Sequence, residues 1–246
     1  MNAVVFAGPT PLPADLGAGF DVRPPARRGD VYLAAKDGAA AIGLVDGYFD
    51  RVDAVAHKEV LWAMSRGVHV FGAASMGALR AAELEAFGME GVGAIFEQLV
   101  RGEIEDDDEV AIVHAEAEDG FRALSEAMVN VRATLAAATA AGAIGEAARA
   151  LLVDAAKSLF YADRAYPLIV ALAESRGAPR AELEALCAFL PTGKVDQKAR
   201  DARALVRRMR EHRAALPGPK TVTYFFSRTD AWDTLCQTAD VARAQR

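Results

Sequence analysis

The sequence has few of the residues that build disulfide frameworks or metal sites. Only two of its 246 residues are cysteines, Cys187 and Cys236, and they lie far apart without CxxC spacing. Its four histidines form neither an HxH nor an HExxH pattern. A disulfide framework or a thiolate zinc site needs several closely spaced ligands, so both are excluded and no metal is predicted.

Long apolar runs are also missing. No stretch approaches the ~20 apolar residues that a membrane-spanning helix needs. The first residues carry no basic region and only a short apolar run, which disfavours a signal peptide. We therefore expect a cytoplasmic protein without a membrane partner.

The charge balance argues against nucleic acid as a partner. The net charge is −6 and the isoelectric point is about 5.3, whereas phosphate binding needs a basic field. Six arginines between residues 200 and 213 are spaced as on a helix, which is more typical of a solvated face than of a binding site. Neither a P-loop nor a GxGxxG pattern is present, which weakens a nucleotide-binding α/β domain and predicts no cofactor.

The first 90 residues alternate short apolar runs with helical patterns. Strands are predicted at residues 2–7, 41–45 and 68–71, and helices at 31–38, 57–66 and 78–87. Residues 9–25 carry five prolines, which predicts a loop. The fold class is therefore α/β, with an N-terminal βαβαβα parallel-sheet core.

The second half is different in composition. Residues 92–101 are predicted to be helical, and residues 119–213 are rich in alanine and predict four or five further helices. The predicted organisation is an α/β core over 1–115, a helical region of the same domain over 116–215, and a C-terminal extension over 216–246. That extension contains the β-like TVTYFF. The acidic run 103–109 lacks the pattern of a calcium loop, so a surface for a basic partner is favoured over a metal site.

The stretch 71–83 carries the clearest chemical signal. Ser75 lies where the third predicted strand turns into a helix, among small residues, and Ala73 to Gly77 differs from GxSxG by one methyl group. Such a turn can present a serine nucleophile, and the N–H groups of Met76 and Gly77 could stabilise an oxyanion. The alternative is ordinary, since a serine before a helix usually caps it.

A serine nucleophile needs a base, and Lys58 is the candidate. It begins the helix after the second strand, so it is expected at the same sheet edge as Ser75, together with Thr10, Asp46 and Tyr48. A lysine base must be neutral, which requires its pKa to fall by ~3 units, and the nearby Arg80 could assist. The alternatives are a solvated Lys58 and an Arg80 that pairs with Glu83.

Several motifs occur together in one order. They are Val4–Thr10, Ala41–Phe49, His57–Glu59, Gly72–Leu84, Gly88–Phe96 and Glu103–Val110, with looser matches at Phe189–Pro191 and Asp196–Lys198. In this order they resemble the core domain of TfuA-like proteins. The resemblance is densest over residues 2–115 and ends near residue 215.

The resemblance implies a function. TfuA-like proteins work with YcaO enzymes, which use ATP to activate a peptide amide so that sulfur replaces oxygen. The family member is thought to hydrolyse the thiocarboxylate of a ThiS-like sulfur carrier by a Ser–Lys pair, which maps onto Ser75 and Lys58. The implied partners are thus a YcaO enzyme and the carrier, with the precursor peptide as a further candidate. The rival hypothesis is a non-catalytic adaptor that docks on YcaO.

Overall fold

The computed structural model describes residues 2–16, 19–49 and 52–245. The chain divides into two compact units. One, here called the sheet unit, comprises residues up to 104 together with those from 198 onward. The other, the helical unit, comprises residues 105–197. Within the described residues, no helix combines the length and apolar character needed to cross a bilayer.

A five-stranded parallel sheet organises the sheet unit. The strands are β1 (Ala3–Phe6), β2 (Phe20–Arg23), β3 (Ala41–Leu44), β4 (His69–Ala73) and β5 (Glu90–Val92), in the order β2-β1-β3-β4-β5. All residues of β1 and β3 are buried, as expected of central strands that are covered on both faces. The predicted α/β class with a parallel sheet is confirmed.

Six helices belong to the sheet unit as described. They are α1 (Asp30–Lys36), α2 (His57–Ser65), α3 (Met76–Leu84), α4 (Ala94–Val100), α9 (Gln197–Ala214) and α10 (Asp230–Ala244). In α9, Ala202, Leu205 and Met209 lie on one face and pack against buried residues of β1, β3 and β4. A helix that is remote in the sequence therefore covers the centre of the sheet.

Three local features differ from the sequence predictions. Strand β2 lies within the proline-rich segment that was expected to be a loop, because its exposed edge sequence FDVR has no apolar run to signal it. Strand β5 has only three residues, too few for a periodic pattern. TVTYFF is not a strand. It is irregular with a bend at residues 223–224. Phe226 packs on Trp232 of α10, whereas Phe225 is exposed.

The helical unit contains four helices between residues 128 and 193. These are α5 (Met128–Ala140), α6 (Glu146–Ser158), α7 (Tyr166–Ser175) and α8 (Arg180–Gly193). Their buried faces share one apolar core that includes Leu135, Leu152 and Ile169. Together with α9 they make the five helices that the sequence allowed over residues 119–213.

The acidic run is largely occupied by cations of the helical unit. Asp108 accepts hydrogen bonds from Lys157 and from the fully buried Arg164, the latter at 2.7 Å. Glu109 binds Arg132 in a two-pronged ion pair at 2.8 and 2.9 Å. These carboxylates stabilise the fold, so the expectation of a free acidic surface is wrong for Asp108 and Glu109.

The strand order marks where a ligand would bind. The chain leaves β1 toward one edge strand and leaves β3 toward the other, so the segments after these two neighbouring strands diverge. In open parallel sheets, the crevice outside the carboxyl ends at this point is the usual ligand site. The residues that follow β1, β3 and β4 are therefore the ones to inspect.

Candidate active site

Asp46 follows β3 and holds the loop that follows β1. Its carboxylate accepts hydrogen bonds from the N–H groups of Gly8 and Thr10, both at 2.9 Å, and from the Thr10 hydroxyl at 2.7 Å. Thr10 and Asp46 are both buried. Because the Thr10 hydroxyl proton is given to Asp46, Thr10 positions the loop instead of offering a donor to substrate.

Lys198, at the start of α9, places a buried cation beside this carboxylate. Its Nζ lies 3.9 Å from Asp46 Oδ1, and its side chain is only 4% exposed. A buried ammonium is costly without a counter-charge, so a lysine at this depth implies a specific environment. One turn further along α9, Ala202 packs in the same cluster as Ala73 and Ala74 of the β4–α3 junction. The beginning of α9 thus faces the segment that carries Ser75.

Ser75 follows a strained turn at the end of β4. Its N–H donates to the Ala73 carbonyl at 2.8 Å, and the intervening Ala74 has φ of 66°. A three-residue turn closed in this way around a residue of positive φ is rare, and a non-glycine residue in that conformation is strained. Backbone strain at a strand-to-helix turn is also the mark of a nucleophile elbow, although here it falls one residue before the serine.

The Ser75 hydroxyl does not cap α3. No hydrogen bond joins it to the N–H groups of the helix start, and it has no hydrogen-bond partner among the described residues. Yet Ser75 is only 3% exposed. The ordinary alternative of a helix cap is therefore absent from the structure, and a nearly buried hydroxyl is left available for a ligand.

Glycines bring Ser75 against the Asp46 loop. The N–H of Gly77 donates to the Val45 carbonyl at 3.2 Å, and a Cβ on Gly77 would come within 1.7 Å of the Leu44 carbonyl oxygen. A Cβ on Gly47 would lie 2.7 Å from Met76 Cγ. Only glycine permits these approaches, which bring the two residues after Ser75 into contact with the residues on either side of Asp46.

The candidate oxyanion donors are not equivalent. The Gly77 N–H is already committed to Val45. Met76 is the first residue of α3, where an N–H has no acceptor within the helix. The Met76 N–H is therefore the better candidate of the two.

Tyr48 and Arg80 form hydrogen bonds with the segments next to this site. The Tyr48 N–H donates to the Ala26 carbonyl at 3.0 Å, which fixes the segment after Asp46. Arg80 donates to the Val55 carbonyl at 2.8 Å and pairs with Glu83 at 2.6 Å. The Arg80–Glu83 pair considered from the sequence is thus present, and Glu83 balances the charge that was expected to act on Lys58.

Lys58 has a different neighbourhood. Its Nζ donates to the Thr229 hydroxyl at 3.0 Å and lies 5.6 Å from the centre of the Phe226 ring. No hydrogen bond between Lys58 and Ser75 is found among the described residues. The assignment of Lys58 as the base thus stays a prediction.

Glu59, beside Lys58, anchors the start of α2 to that of α1. Its fully buried carboxylate accepts hydrogen bonds from the N–H groups of Gly29, Val31, Tyr32 and Ala56, at 2.8–3.3 Å. Burial raises the pKa of Glu59 to about 7, against the four N–H groups that lower it.

Lys198 is the residue that sequence reasoning missed. Its signal was present, since Asp196-Gln197-Lys198 was among the looser motif matches, but a lysine at the start of a helix normally suggests a solvated surface. As for metal, no group of three suitable ligands is found in the described part of the chain.

A family model described as TfuA-like protein matches residues 46–165, just under half of the chain. Over this stretch, the chain is similar to TfuA-like proteins. The matched stretch includes Asp46, Lys58 and Ser75, whereas Thr10 and Lys198 lie outside it and reach the site through the fold. No curated protein matches the chain significantly.

Proposed function

We propose that this TfuA-like protein is the partner of a YcaO enzyme in peptide thioamidation, and that it hydrolyses the thiocarboxylate of a ThiS-like carrier. The observation that carries the proposal is the nearly buried Ser75, whose hydroxyl has no hydrogen bond to the described residues and which precedes the two residues that contact the neighbours of Asp46. The family match supports the setting. A serine nucleophile activated by a neighbouring base is a recurrent device for acyl transfer.

The proposed reaction has two steps. A base removes the Ser75 proton, and the serine oxygen attacks the thiocarboxylate carbon while the Met76 N–H stabilises the negative oxygen. The C–S bond then breaks, sulfide leaves with a proton, and an ester to Ser75 remains. Water hydrolyses that ester, giving the carrier carboxylate and free Ser75. Overall, thiocarboxylate and water yield carboxylate and hydrogen sulfide.

Two lysines compete for the role of base. The family resemblance assigns Lys58, whose amine lies against Thr229 and Phe226. Lys198 is a second candidate, because it is buried next to Asp46, in the segment that follows β3. A lysine acts as a base only when neutral; burial disfavours the ammonium form, whereas the nearby Asp46 carboxylate favours it.

The test is sulfide release from a thiocarboxylated ThiS-type carrier by the purified chain. Replacing the nucleophile in Ser75→Ala should lower the rate by about 10³-fold or more. Lys198→Met should lower it by about 10²-fold, and Lys58→Met by less than about threefold. Lys194→Met, which removes an exposed lysine of the helical unit, is the matched control.

Lys198→Arg separates two possible roles of this lysine. Arginine keeps the positive charge but cannot be deprotonated, so loss of activity supports a base, while retained activity supports an electrostatic role. Wild-type release by Ser75→Ala would reject the nucleophile. Loss of activity in Lys58→Met, with Lys198→Met active, would return the role to Lys58. Circular dichroism must show that each variant is folded.

The rival hypothesis is a non-catalytic adaptor that raises the affinity of YcaO for its peptide substrate. It predicts no sulfide release by the wild-type chain and intact binding of YcaO. The acidic run was one of the surfaces expected to serve an adaptor, and Asp108 and Glu109 are already bound within the helical unit. Catalysis is therefore the better supported hypothesis.

A further inference from the structure

A second feature of the sheet unit is an open aromatic groove of about 680 Å³ that is lined by α1, α2, α10 and the segment that precedes α10. Its aromatic floor is continuous. The Trp62 ring centre lies 4.9 Å from that of Tyr32 and 5.6 Å from that of Trp232, which lies 5.1 Å from Phe226. Above this floor, Phe225 is 90% exposed. Large aromatic surfaces of this kind are typical of interaction sites.

The chain along the groove offers free main-chain groups. Residues 221–228 belong to no helix or strand, and their N–H and C=O groups form no hydrogen bonds with the described residues. The segment is nevertheless anchored. Lys220 N–H donates to the Gly67 carbonyl at 2.8 Å, and the Tyr224 hydroxyl donates to the Leu61 carbonyl at 2.6 Å. A held segment with open donors and acceptors can pair with an extended peptide.

The charges around the groove are not balanced. Asp240, the carboxylate that lines the groove, binds Lys36, and the lining Arg228 binds Asp233. Arg66 lines the groove and forms no ion pair with the described residues. Two further cations lie next to its lining residues and form none either: Lys220 precedes the segment 221–228, and Lys58 lies against Phe226. In a chain whose net charge is −6, this is a local excess of positive charge.

We propose that the aromatic groove binds an extended acidic peptide segment of a protein partner. Carboxylates of the peptide would meet Arg66, Lys220 and Lys58, its main chain would pair with residues 221–228, and an apolar side chain would pack on Phe225. The aromatic residues supply contact area, and the cations select an acidic sequence. The proposal uses neither Ser75 nor Asp46, and its test substitutes Arg66 and Phe225, which the proposed hydrolysis does not use. Lys58 is the one residue that both proposals consider.

The position of Lys58 also supports an acidic peptide as the ligand of the groove. Its amine lies over the Phe226 ring and is bound to Thr229, at the end of the groove. If Lys198 is the base of the active site, Lys58 is available to contact a peptide carboxylate. A cation held against an aromatic ring loses little conformational freedom when it binds an anion.

The experiment is a selection from a random 12-residue peptide display library against the full chain. We expect the enriched peptides to be acidic and to contain an apolar residue. A labelled enriched peptide should bind about tenfold more weakly to Arg66→Glu and about fivefold more weakly to Phe225→Ala, and its affinity should fall with salt. Circular dichroism should be unchanged in both variants, because both side chains are exposed.

Matched controls lie elsewhere on the surface. Arg207 is an exposed arginine of α9 without an ion pair among the described residues, and Leu216 is an apolar residue that is 80% exposed. Arg207→Glu and Leu216→Ala should change the affinity by less than about twofold. The proposal is overturned if no peptide is enriched, if the enriched peptides lack acidic residues, or if Arg66→Glu binds as the wild-type chain does.

Discussion

Two buried polar residues, Arg164 of the helical unit and Ser75 of the sheet unit, differ in their hydrogen bonding. In the helical unit, the fully buried Arg164 donates to the carbonyls of Ala156, Leu159 and Asp108 and to the Asp108 carboxylate, at 2.7–3.4 Å. In the sheet unit, Ser75 is almost as deeply buried, and its hydroxyl has no hydrogen bond to the described residues. Both residues are buried, but only the arginine side chain is hydrogen-bonded within the described protein.

This difference distinguishes a buried polar group that stabilises the fold from one that is available to a ligand. A satisfied buried charge holds one conformation and has no capacity left for a ligand. An unsatisfied buried hydroxyl beside a strained turn is an arrangement that folding alone does not favour. The strain at Ala74 and the open hydroxyl of Ser75 therefore point to function, whereas Arg164 points to stability.

The largest effect should come from removing the satisfied charge. Arg164→Met removes the donor to three carbonyls and to Asp108 Oδ2, and should lower the free energy of unfolding by about 3–5 kcal/mol. Urea unfolding followed by circular dichroism measures this loss. Arg176→Met, which breaks an exposed ion pair with Asp154, is the control and should cost less than about 1 kcal/mol. Equal losses in the two variants would contradict the structural role of Arg164.

Glu59 is an intermediate case, because its carboxylate is satisfied by four N–H groups and still fully desolvated. With a pKa raised from 4.5 to about 7, the folded chain holds a proton that the unfolded chain has lost between these values. Its contribution to stability is therefore complete below pH 4.5 and is lost as the pH rises to 7, by about 3 kcal/mol.

The measurement is the free energy of unfolding of the wild-type chain and Glu59→Gln between pH 4.5 and 8. Glutamine keeps the shape and cannot ionise, so the difference in slope between the two chains isolates Glu59. An identical slope would mean that the four N–H groups outweigh burial and keep the carboxylate charged.

Sequence patterns predicted the centre of the sheet unit and missed its edges. Strands β1, β3 and β4 are buried runs flanked by turns, and their signal is local. Strand β2 has a polar, exposed sequence, and it forms because β1 offers a free neighbour along its whole length. TVTYFF has strong β propensity and forms no strand, and Phe226 packs on Trp232 of α10 instead.

The candidate site was predictable only where the chain is locally informative. Ser75, Asp46 and Thr10 each follow a strand, and parallel sheets bring such positions to one edge. The position of Lys198 at the candidate site could not be predicted from the sequence, because about 90 residues of the helical unit separate it from the strands of the sheet unit. Its depth depends on α9 packing across the sheet through Ala202 and Leu205. The alternative of a capping serine could be examined only in three dimensions.

The hydrogen bonds of the Asp46 carboxylate provide a further test of stability in the sheet unit. Asp46→Asn removes the charge that faces Lys198 and replaces one acceptor oxygen by a donor, so it should lower the free energy of unfolding by about 2 kcal/mol. Thr10→Val, which removes only the hydroxyl bond to Asp46, should cost about 1 kcal/mol. Thermal unfolding of the two variants measures both. If Thr10→Val proved the more destabilising, the loop would depend on the threonine more than on the carboxylate.

The smallest expected effect concerns His212, whose Nε2 is buried without a hydrogen-bond partner. Burial, His69 and Arg208 lower its pKa below 6.5, whereas Glu90 opposes them and Lys220 adds a further positive charge. The unfolded chain therefore binds a proton more readily, and the contribution to stability is present above pH 6.5 and is lost as the pH falls. We expect the free energy of unfolding to fall as the pH decreases from 6.5 to 5.

His212→Phe should abolish that loss, because phenylalanine preserves the ring contacts with His69 and Phe71 and does not titrate. Both chains should carry Glu59→Gln, so that the opposite pH dependence of Glu59 is absent from the comparison. If His212→Phe loses as much stability on acidification as its parent, His212 is protonated without strain, and the unsatisfied group of the sheet unit that matters is the Ser75 hydroxyl alone.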